Sequence, residues 1–290
     1  YKKNISFARY YDHYIIQKKL RKKIRGAVKP DIIICSYPTL GLCEEVLEFS
    51  LKNKVPAIID YRDLWPEVFY DLFPKKIRFL AKIIFSPLSF RLKRVLKNVT
   101  GIVGITEKIM NTGIEKAQRK KNIFDSFFYL GYEKLTINQS TLNKYTNKWR
   151  SYGISENDGF LKICFFGTLG HQMDFDTLIH AFNNLSNKSV KLIICGSGDK
   201  EDYLKDLSRS SNIIFPGYMS ALELKSLMLV SDLGVCPHIP KQMYLDTIPG
   251  KAIEYMSEGL PIITTLGNGE LGKLIEQKNF GHSYKAFETE

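Results

Sequence analysis

Short apolar runs rich in β-branched residues recur along this chain, and most are followed by 10–15 residues with helical spacing. Such runs are typical of strands buried on both faces of a parallel sheet. The first half carries four, at Asp31–Cys35, Val55–Asp60, Val99–Ile105 and Phe127–Leu130, and the second half carries five, at Leu161–Phe166, Val190–Cys195, Asn212–Phe215, Leu233–Pro237 and Pro261–Thr265. Alternating strands and helices predict an α/β fold with a doubly wound parallel sheet, formed twice.

A polar segment at Thr136–Gly159 separates the two series and has little apolar periodicity. We interpret it as a linker. It divides an amino-terminal domain with linker, residues 1–155, from a carboxyl-terminal domain, residues 156–290. Doubly wound domains ordinarily begin with a strand and a Gly-rich turn, and the first segment shows neither. We therefore expect the amino-terminal domain to be incomplete, and the carboxyl end to lack a closing helix.

The composition narrows the class of protein. Hydrophobic residues make up 44% and charged residues 25%, which excludes disordered and fibrous chains. No apolar run approaches the ~18 residues of a membrane-spanning helix. The five cysteines form no CxxC pair, so neither a disulfide scaffold nor a structural zinc site is expected. We predict buried, reduced thiols in a cytoplasmic protein.

The net charge of +12 belongs to the amino-terminal half. Residues 1–150 contain 30 Lys and Arg against 13 Asp and Glu, whereas residues 151–290 contain 12 against 17. This asymmetry indicates a surface partner for the first half.

One stretch, residues 75–97, concentrates this charge. It holds eight basic residues and no acidic one, interleaved with apolar residues at helical spacing. That pattern suits a helix lying on an anionic membrane, with the basic run at 18–29 assisting. The alternative is an ordinary solvated helix face. Nucleic acid is not expected as a partner, because no stacking platform of aromatic residues is evident.

Glycine-rich turns follow three strands of the second half, where an α/β sheet binds its ligands. Glycine there lets backbone amides approach a ligand, although many βα turns contain glycine for other reasons. These turns give the following candidate ligand-binding residues: Gly167, Thr168, His171, Gly196, Gly198, Gly217 and Tyr218.

A fourth turn, residues 246–256, is more specific. We expect Thr247 to cap a helix that has Pro249 in its first turn and ends at Gly259. The free amides of that turn, from Gly250 onward, together with Lys251 form an anion site. The carboxylates of Asp246 and Glu254 bracket it. An exposed, salt-bridged helix face would give the same spacing.

The order of these turns resembles the carboxyl-terminal domain of a family 4 retaining glycosyltransferase with the GT-B fold. The matching segments there are FFGTLGHQMDFDTLIHAF (165–182), KLIICGSGDKEDYL (191–204), NIIFPGYMSALELKSLMLVSDLGVCP (212–237) and DTIPGKAIEYMSEGLPIITT (246–265). In the amino-terminal half they are PDIIICSYP (30–38), VPAIIDYRDLWPEVF (55–69), GIVGITEKIM (101–110) and FFYLGYE (127–133). The stretch RDLWPE resembles the branch that builds bacterial O-antigen and capsule.

The resemblance implies two domains facing across a cleft, and roles for particular residues. The acidic pair of the family falls on Glu254, expected at the ribose, and Asp246, expected at the donor sugar. Its basic pair does not match, because Thr168 and Met173 stand in those places. Arg62, with Asp63 after it, stands where many members have His-Asp; with Asp246 they are the predicted catalytic residues.

The expected function is transfer of a sugar from a nucleotide diphosphate donor, UDP in preference to GDP, to a lipid-linked acceptor on the inner face of the plasma membrane. Trp65 is either an acceptor-side residue or plain core. No cofactor is expected, and no metal, because no DxD-like pair follows a strand. Two alternatives remain: a sugar-nucleotide 2-epimerase on the same fold, and a non-catalytic binding subunit.

Overall fold

A computed structural model describes residues 7–133, 135–185 and 189–288. The chain forms two compact units, residues 1–129 and residues 130–290. Each contains one parallel sheet with helices between successive strands.

The amino-terminal unit has a four-stranded parallel sheet in chain order, β1-β2-β3-β4. The strands are β1 Ile33–Tyr37, β2 Ala57–Tyr61, β3 Gly101–Gly104 and β4 Ser126–Phe127. The helices are α1 Phe7–Ile24, α2 Leu40–Asn53, α3 Arg78–Ile84, α4 Ser86–Asn98 and α5 Glu107–Ala117, and 3₁₀ turns lie at Glu67–Leu72 and Lys75–Ile77.

Buried residues alternate with more exposed ones along β1 and β2, so one face of the sheet is buried. Cys35, Ile59 and Ile102 pack with buried residues of the helices, such as Leu47 and Leu92. Successive strand residues point to opposite faces. In the described part of the chain, the residues that alternate with them form no second buried cluster, and Ile34 is 69% exposed.

The carboxyl-terminal unit has a six-stranded parallel sheet in the order β10-β9-β8-β5-β6-β7. The strands are β5 Leu161–Phe166, β6 Val190–Cys195, β7 Ile213–Gly217, β8 Leu233–Cys236, β9 Ile262–Thr264 and β10 Gly281–Ser283. The helices are α6 Gln139–Ser151, α7 Phe175–Asn184, α8 Glu201–Leu207, α9 Ala221–Val230, α10 Gln242–Leu245, α11 Gly250–Ser257 and α12 Glu270–Lys278.

This second sheet is doubly wound. Chain order runs outward from β5 through β6 and β7, then returns to β8 on the other side of β5. Successive residues of β5 point into different cores, with Phe165 on one face of the sheet and Phe166 on the other. Burial on both faces explains why the strands are continuous apolar runs.

Local signals fix several helix ends. The Thr106 hydroxyl caps α5 by accepting from the Ile109 amide at 3.1 Å. Pro87 stands in the first turn of α4, where the basic stretch breaks into α3 and α4. Gly259, with φ +77°, follows the end of α11. The hydroxyl cap, the proline in the first turn and the glycine after the last turn are all common at helix ends, and the position of Gly259 is the one expected from the sequence.

The structure corrects the prediction that the polar segment Thr136–Gly159 is a linker. Residues 139–151 form α6, and Trp149 on it is 1% exposed within the second core. Its indole Nε1 donates to Ser226 Oγ on α9 at 2.8 Å. The compact units therefore divide after Tyr129 rather than after residue 155. The sequence suggested a linker because most residues of this amphipathic helix are polar and Trp149 is its one large buried side chain.

All five cysteines are buried and unbridged, as expected. Cys35 and Cys43 approach most closely, with their sulfur atoms 3.7 Å apart. Within the described residues, no helix has the length and hydropathy required to cross a bilayer.

Candidate functional site

The strand order of the carboxyl-terminal unit reverses between β5 and β8. In open α/β sheets, a crevice forms at the carboxyl ends of the strands where the order reverses, and ligands bind there. At this edge the chain continues from β5 into Gly167 and from β8 into Pro237 and His238. The topology therefore locates the candidate site before any side chain is considered.

The loop after β5 and the segment after β8 are joined by their backbones. The Asp174 amide donates to the Pro237 carbonyl at 2.6 Å, and the Ile239 amide donates to the Gln172 carbonyl at 3.0 Å. Met173 and His238 pair as an isolated antiparallel bridge. The two segments thus form one continuous wall of the site.

Lys251 brings a positive charge to this edge. Its Nζ lies 4.4 Å from the centre of the Phe165 ring, and 3.3 Å from where a Cβ on Gly167 would stand. Burial lowers the Lys251 pKa to about 8, and the nearby Glu254 carboxylate partly opposes that shift. Among the described residues, no carboxylate forms an ion pair with Lys251. Its charge is therefore available to an anionic ligand.

Glu254 lies one turn further along α11. Burial raises the pKa of its carboxyl group, while the charge of Lys251 lowers it. Burial raises the pKa of the Tyr132 hydroxyl, and the charges of Glu254 and Glu258 raise it further. The half-buried carboxylate and this phenol are hydrogen-bonding groups suited to ligand hydroxyls.

Asp246 is buried directly after α10, where its Oδ1 accepts from Gln242 Nε2 at 2.7 Å. Thr247 does not cap α11, contrary to expectation. Its hydroxyl donates back to the Met243 carbonyl at 3.2 Å, so Pro249 occupies the N-cap position without a side-chain hydrogen bond. The expectation failed because a hydroxyl can serve the helix before it as well as the helix after it.

Close packing between loops explains why some of these turns contain glycine, which the sequence did not reveal. A Cβ on Gly196 would collide with the Gly167 carbonyl oxygen, and one on Gly198 with the Leu169 carbonyl oxygen. Gly167, Gly196 and Gly217 all have positive φ. Gly196 and Gly198 therefore let neighbouring loops pack backbone against backbone. By contrast, a Cβ on Gly250 would meet nothing within 4 Å.

The remaining predicted donor residues are exposed. His171 is 77% exposed, and its Nε2 lies 3.2 Å from Asp199 Oδ2 in the loop after β6. Thr168 and Tyr218 are also exposed. Met173, one of the two departures from the basic pair of the family, is a core residue.

Arg62 and Asp63 belong to the amino-terminal unit, just after β2. Arg62 Nε donates to Asp60 Oδ2 at 2.5 Å, and Ser36 Oγ donates to the same oxygen at 2.9 Å. The Asp60 carboxylate therefore orients the Arg62 guanidinium, which is about half exposed. Neither Asp60 nor Ser36 was among the residues predicted from the sequence.

Trp65 is partly buried and packs against the core of its unit. Its ring stacks with His13 at 5.9 Å and meets Phe69 edge to face at 4.6 Å. Its carbonyl accepts from the Tyr37 hydroxyl at 3.0 Å. These contacts give Trp65 a structural role.

His238 was missed. It is 6% exposed at the carboxyl end of β8, and burial and the charge of Lys251 lower its pKa to about 3. Its position was a signal in the sequence, because His238 directly follows the predicted strand Leu233–Pro237, at the end where an α/β sheet binds its ligands.

Residues 161–284 match the family model described as glycosyl transferases group 1. The carboxyl-terminal unit resembles a group 1 glycosyl transferase. An uncharacterized glycosyltransferase from Methanocaldococcus jannaschii is 30% identical over 125 residues, which is 41% of this chain. The chain spans 30% of the length of that relative.

Solved glycosyltransferase structures resemble both units. HepE from Anabaena, in complex with UDP, has a TM-score of 0.63 at 15% identity, covering 96% of this chain and 69% of HepE. The lipopolysaccharide outer core galactosyltransferase WaaB has a TM-score of 0.60 at 15% identity, covering 100% of this chain and 70% of WaaB. A UDP-forming trehalose-phosphate synthase from Burkholderia xenovorans has a TM-score of 0.65 at 14% identity, covering 99% and 69%. These similarities confirm the predicted fold of two parallel-sheet, Rossmann-like α/β domains.

Proposed function

We propose that this protein is a glycosyltransferase that moves a sugar from a nucleotide diphosphate donor to a lipid-linked acceptor. The observation that carries the proposal is the largely buried ammonium of Lys251 at the strand-order reversal, with Glu254 one turn along α11. A positive charge at the start of a helix and at this edge of an α/β sheet is suited to a diphosphate. The match of residues 161–284 to glycosyl transferases group 1 supports it.

On this proposal the donor lies along α11. Lys251 and the first amides of α11, from Gly250, hold the diphosphate, and Glu254 accepts hydrogen bonds from the ribose hydroxyls. Asp246 faces the donor sugar. UDP is preferred to GDP as the nucleotide, by analogy with HepE in its complex with UDP-glucose.

The chemistry is electrostatic. The diphosphate departs with negative charge, which the Lys251 ammonium and the helix amides stabilise without a metal ion. Arg62 and Asp63 stay predicted catalytic residues on the strength of the family resemblance. Retention of configuration, and a place in family 4 and its O-antigen and capsule branch, rest on the same resemblance.

A membrane-bound acceptor accounts for the surface of the amino-terminal unit. Residues 1–129 contain 26 Lys and Arg against 12 Asp and Glu. On α3, Phe79 and Ile83 are 59% and 64% exposed beside the exposed Lys82, and Arg94 and Lys97 are exposed on α4. We call these five side chains the basic-apolar surface. Apolar side chains that enter lipid and cations that meet anionic headgroups suit a protein bound to the inner face of the plasma membrane.

The test is product analysis. The chain is incubated with a panel of UDP- and GDP-sugars labelled in the sugar and with a bacterial membrane extract, and Lys251→Ala serves as the matched control. Label recovered in lipid, and lost with Lys251→Ala, is the expected result. Free epimerised donor would indicate the epimerase alternative instead. Nucleotide binding without any product would indicate a non-catalytic subunit.

A further inference from the structure

His238 lies at the edge of the sheet that carries the candidate site. It follows β8, which pairs with β5 on one side and β9 on the other. Its backbone is fixed from both directions, since it bridges Met173 and its carbonyl accepts from the Thr265 hydroxyl. Its ring packs against the Tyr244 ring at 5.4 Å, on the helix that leads into Asp246.

The imidazole of His238 has an unsatisfied polar atom. Nδ1 is buried and finds no hydrogen-bond partner among the described residues. A buried polar group left without a partner destabilises the folded chain, and most buried polar groups in native proteins are paired. A leucine would fill a similar volume without that cost. The packing of this unit alone therefore does not explain a histidine here.

Lys251 supplies the second observation. Its charge acts on the His238 ring, and the same ammonium lies beside Gly167 at the end of β5. An unpaired cation and an unpaired ring nitrogen thus share one edge of the sheet. Both are satisfied at once by a ligand that carries several anionic oxygens.

We propose that the His238 imidazole hydrogen-bonds a phosphate oxygen of the donor diphosphate, beside the ammonium of Lys251. This assignment rests on the proposed function and adds a diphosphate-binding residue to it. Nδ1 is closed to water in the unliganded chain, so binding requires the ring to turn about its Cβ–Cγ bond, a soft torsion for histidine. The low pKa of His238 means that the ring is neutral before the ligand arrives, and the diphosphate then meets one hydrogen-bonding nitrogen and one full charge.

The experiment compares ligands that differ only in the diphosphate. Affinities for UDP and uridine, and for GDP and guanosine, are measured by calorimetry on the wild-type chain, His238→Leu and His238→Asn. The matched control is His180→Leu, because His180 is an exposed histidine on α7. Thermal unfolding without ligand is recorded for every variant.

His238→Leu is expected to weaken the nucleoside diphosphate about tenfold and to leave the nucleoside within twofold, on the scale of one lost hydrogen bond to an anion. Its unfolding temperature without ligand equals or exceeds that of the wild type, because an unpaired nitrogen is removed. His238→Asn, which keeps a hydrogen-bonding amide, retains part of the diphosphate affinity, and His180→Leu changes nothing.

Two results overturn the assignment while the proposed function stands. One is a folded His238→Leu with unchanged diphosphate affinity. The other is an equal loss for nucleoside and nucleoside diphosphate together with a lower unfolding temperature, which would make His238 a structural residue. A wild-type chain that binds no nucleoside diphosphate contradicts the proposed function, and the His238 assignment with it.

Discussion

The ammonium of Lys251 lies 4.4 Å from the centre of the ring of Phe165, which is the second-last residue of β5. The contact joins α11 to the strand at which the sheet order reverses. A ring face stabilises a cation by ~0.5–2 kcal/mol without neutralising it. Lys251 therefore keeps its charge for a ligand, and the proposed donor site depends on this charge.

The Lys251 pKa of about 8 predicts how UDP affinity varies with pH. Diphosphate binding favours the ammonium form, and free Lys251 loses its proton as the pH rises through 8. UDP affinity is therefore expected to fall about fourfold between pH 7 and pH 8.5. Calorimetry at several pH values measures this. Lys251→Arg, which does not titrate in this range, is the control and is expected to give a flat profile; an equal slope in both proteins would contradict the role of Lys251.

The lowered pKa of Lys251 also predicts how the stability of the fold varies with pH. Its pKa in the folded chain lies below the ordinary value of 10.5, so folding disfavours the charged form. Between pH 8 and pH 10.5 the unfolded chain holds the extra proton, and this group adds stability as the pH rises. Lys251→Met is therefore expected to keep or raise the unfolding temperature at pH 7, with a gain that shrinks above pH 8. Destabilisation at pH 7 would show that the lysine is structural.

Glu254 is expected to hold the ribose. Glu254→Gln should weaken UDP binding by about 1.5–3 kcal/mol, the scale of a hydrogen bond to a charged group. The sharper measurement compares UDP with 2′,3′-dideoxy-UDP. The wild type should prefer UDP, and Glu254→Gln should lose most of that preference. A preference that survives in the variant would move the ribose away from Glu254.

Trp149 tests the placement of α6 in the carboxyl-terminal unit. Trp149→Ala is expected to lower the free energy of unfolding by about 3–5 kcal/mol, because it leaves a cavity and removes the hydrogen bond to Ser226 Oγ. Trp149→Phe keeps an aromatic ring but loses the hydrogen bond and part of the buried volume, so it should cost less than the alanine variant, about 1–2 kcal/mol. Denaturant unfolding measures both. A cost below ~0.5 kcal/mol for the alanine variant would restore the linker interpretation.

The basic-apolar surface is expected to bind anionic vesicles. Co-sedimentation should be stronger with phosphatidylglycerol than with phosphatidylcholine and should weaken in high salt, since the Debye length falls from ~10 Å at 0.1 M to ~3 Å at 1 M. The double change Phe79→Ser and Ile83→Ser should reduce it, as should Lys93, Arg94 and Lys97 changed together to Glu. Leu185→Ser, at an exposed leucine of the other unit, is the control. Equal binding to both lipids, or none, would remove the membrane from this account.

Buried strands were the most predictable part of the fold. The bounds of β5 and β6 agree with the sequence-based ones, because strands covered on both faces are continuous apolar runs with polar neighbours. Edge strands were less predictable. β4 is two residues long and β10 three, since an edge strand pairs on one side only and has a weaker pattern.

The position of the candidate site could be predicted from the sequence, but the contacts between its residues could not. Strand order at the reversal of the sheet depends on long-range pairing that no local pattern encodes, so the proximity of Lys251 to Gly167 could not be predicted. The glycines were noticed for their ligand-binding potential, and the structure adds loop packing as a reason. His238 escaped notice because its orphaned nitrogen is a property of the packed core.

The proposed function requires a nucleoside diphosphate to bind at the carboxyl ends of β5 and β8. Its most direct test is calorimetric titration of UDP and GDP into the wild-type chain and into the double variant Lys251→Met, Glu254→Gln. The account predicts one-site binding of UDP, stronger than that of GDP, by the wild type and none by the variant, which keeps its unfolding temperature. A folded double variant that binds UDP as well as the wild type would place the nucleotide elsewhere and contradict the account.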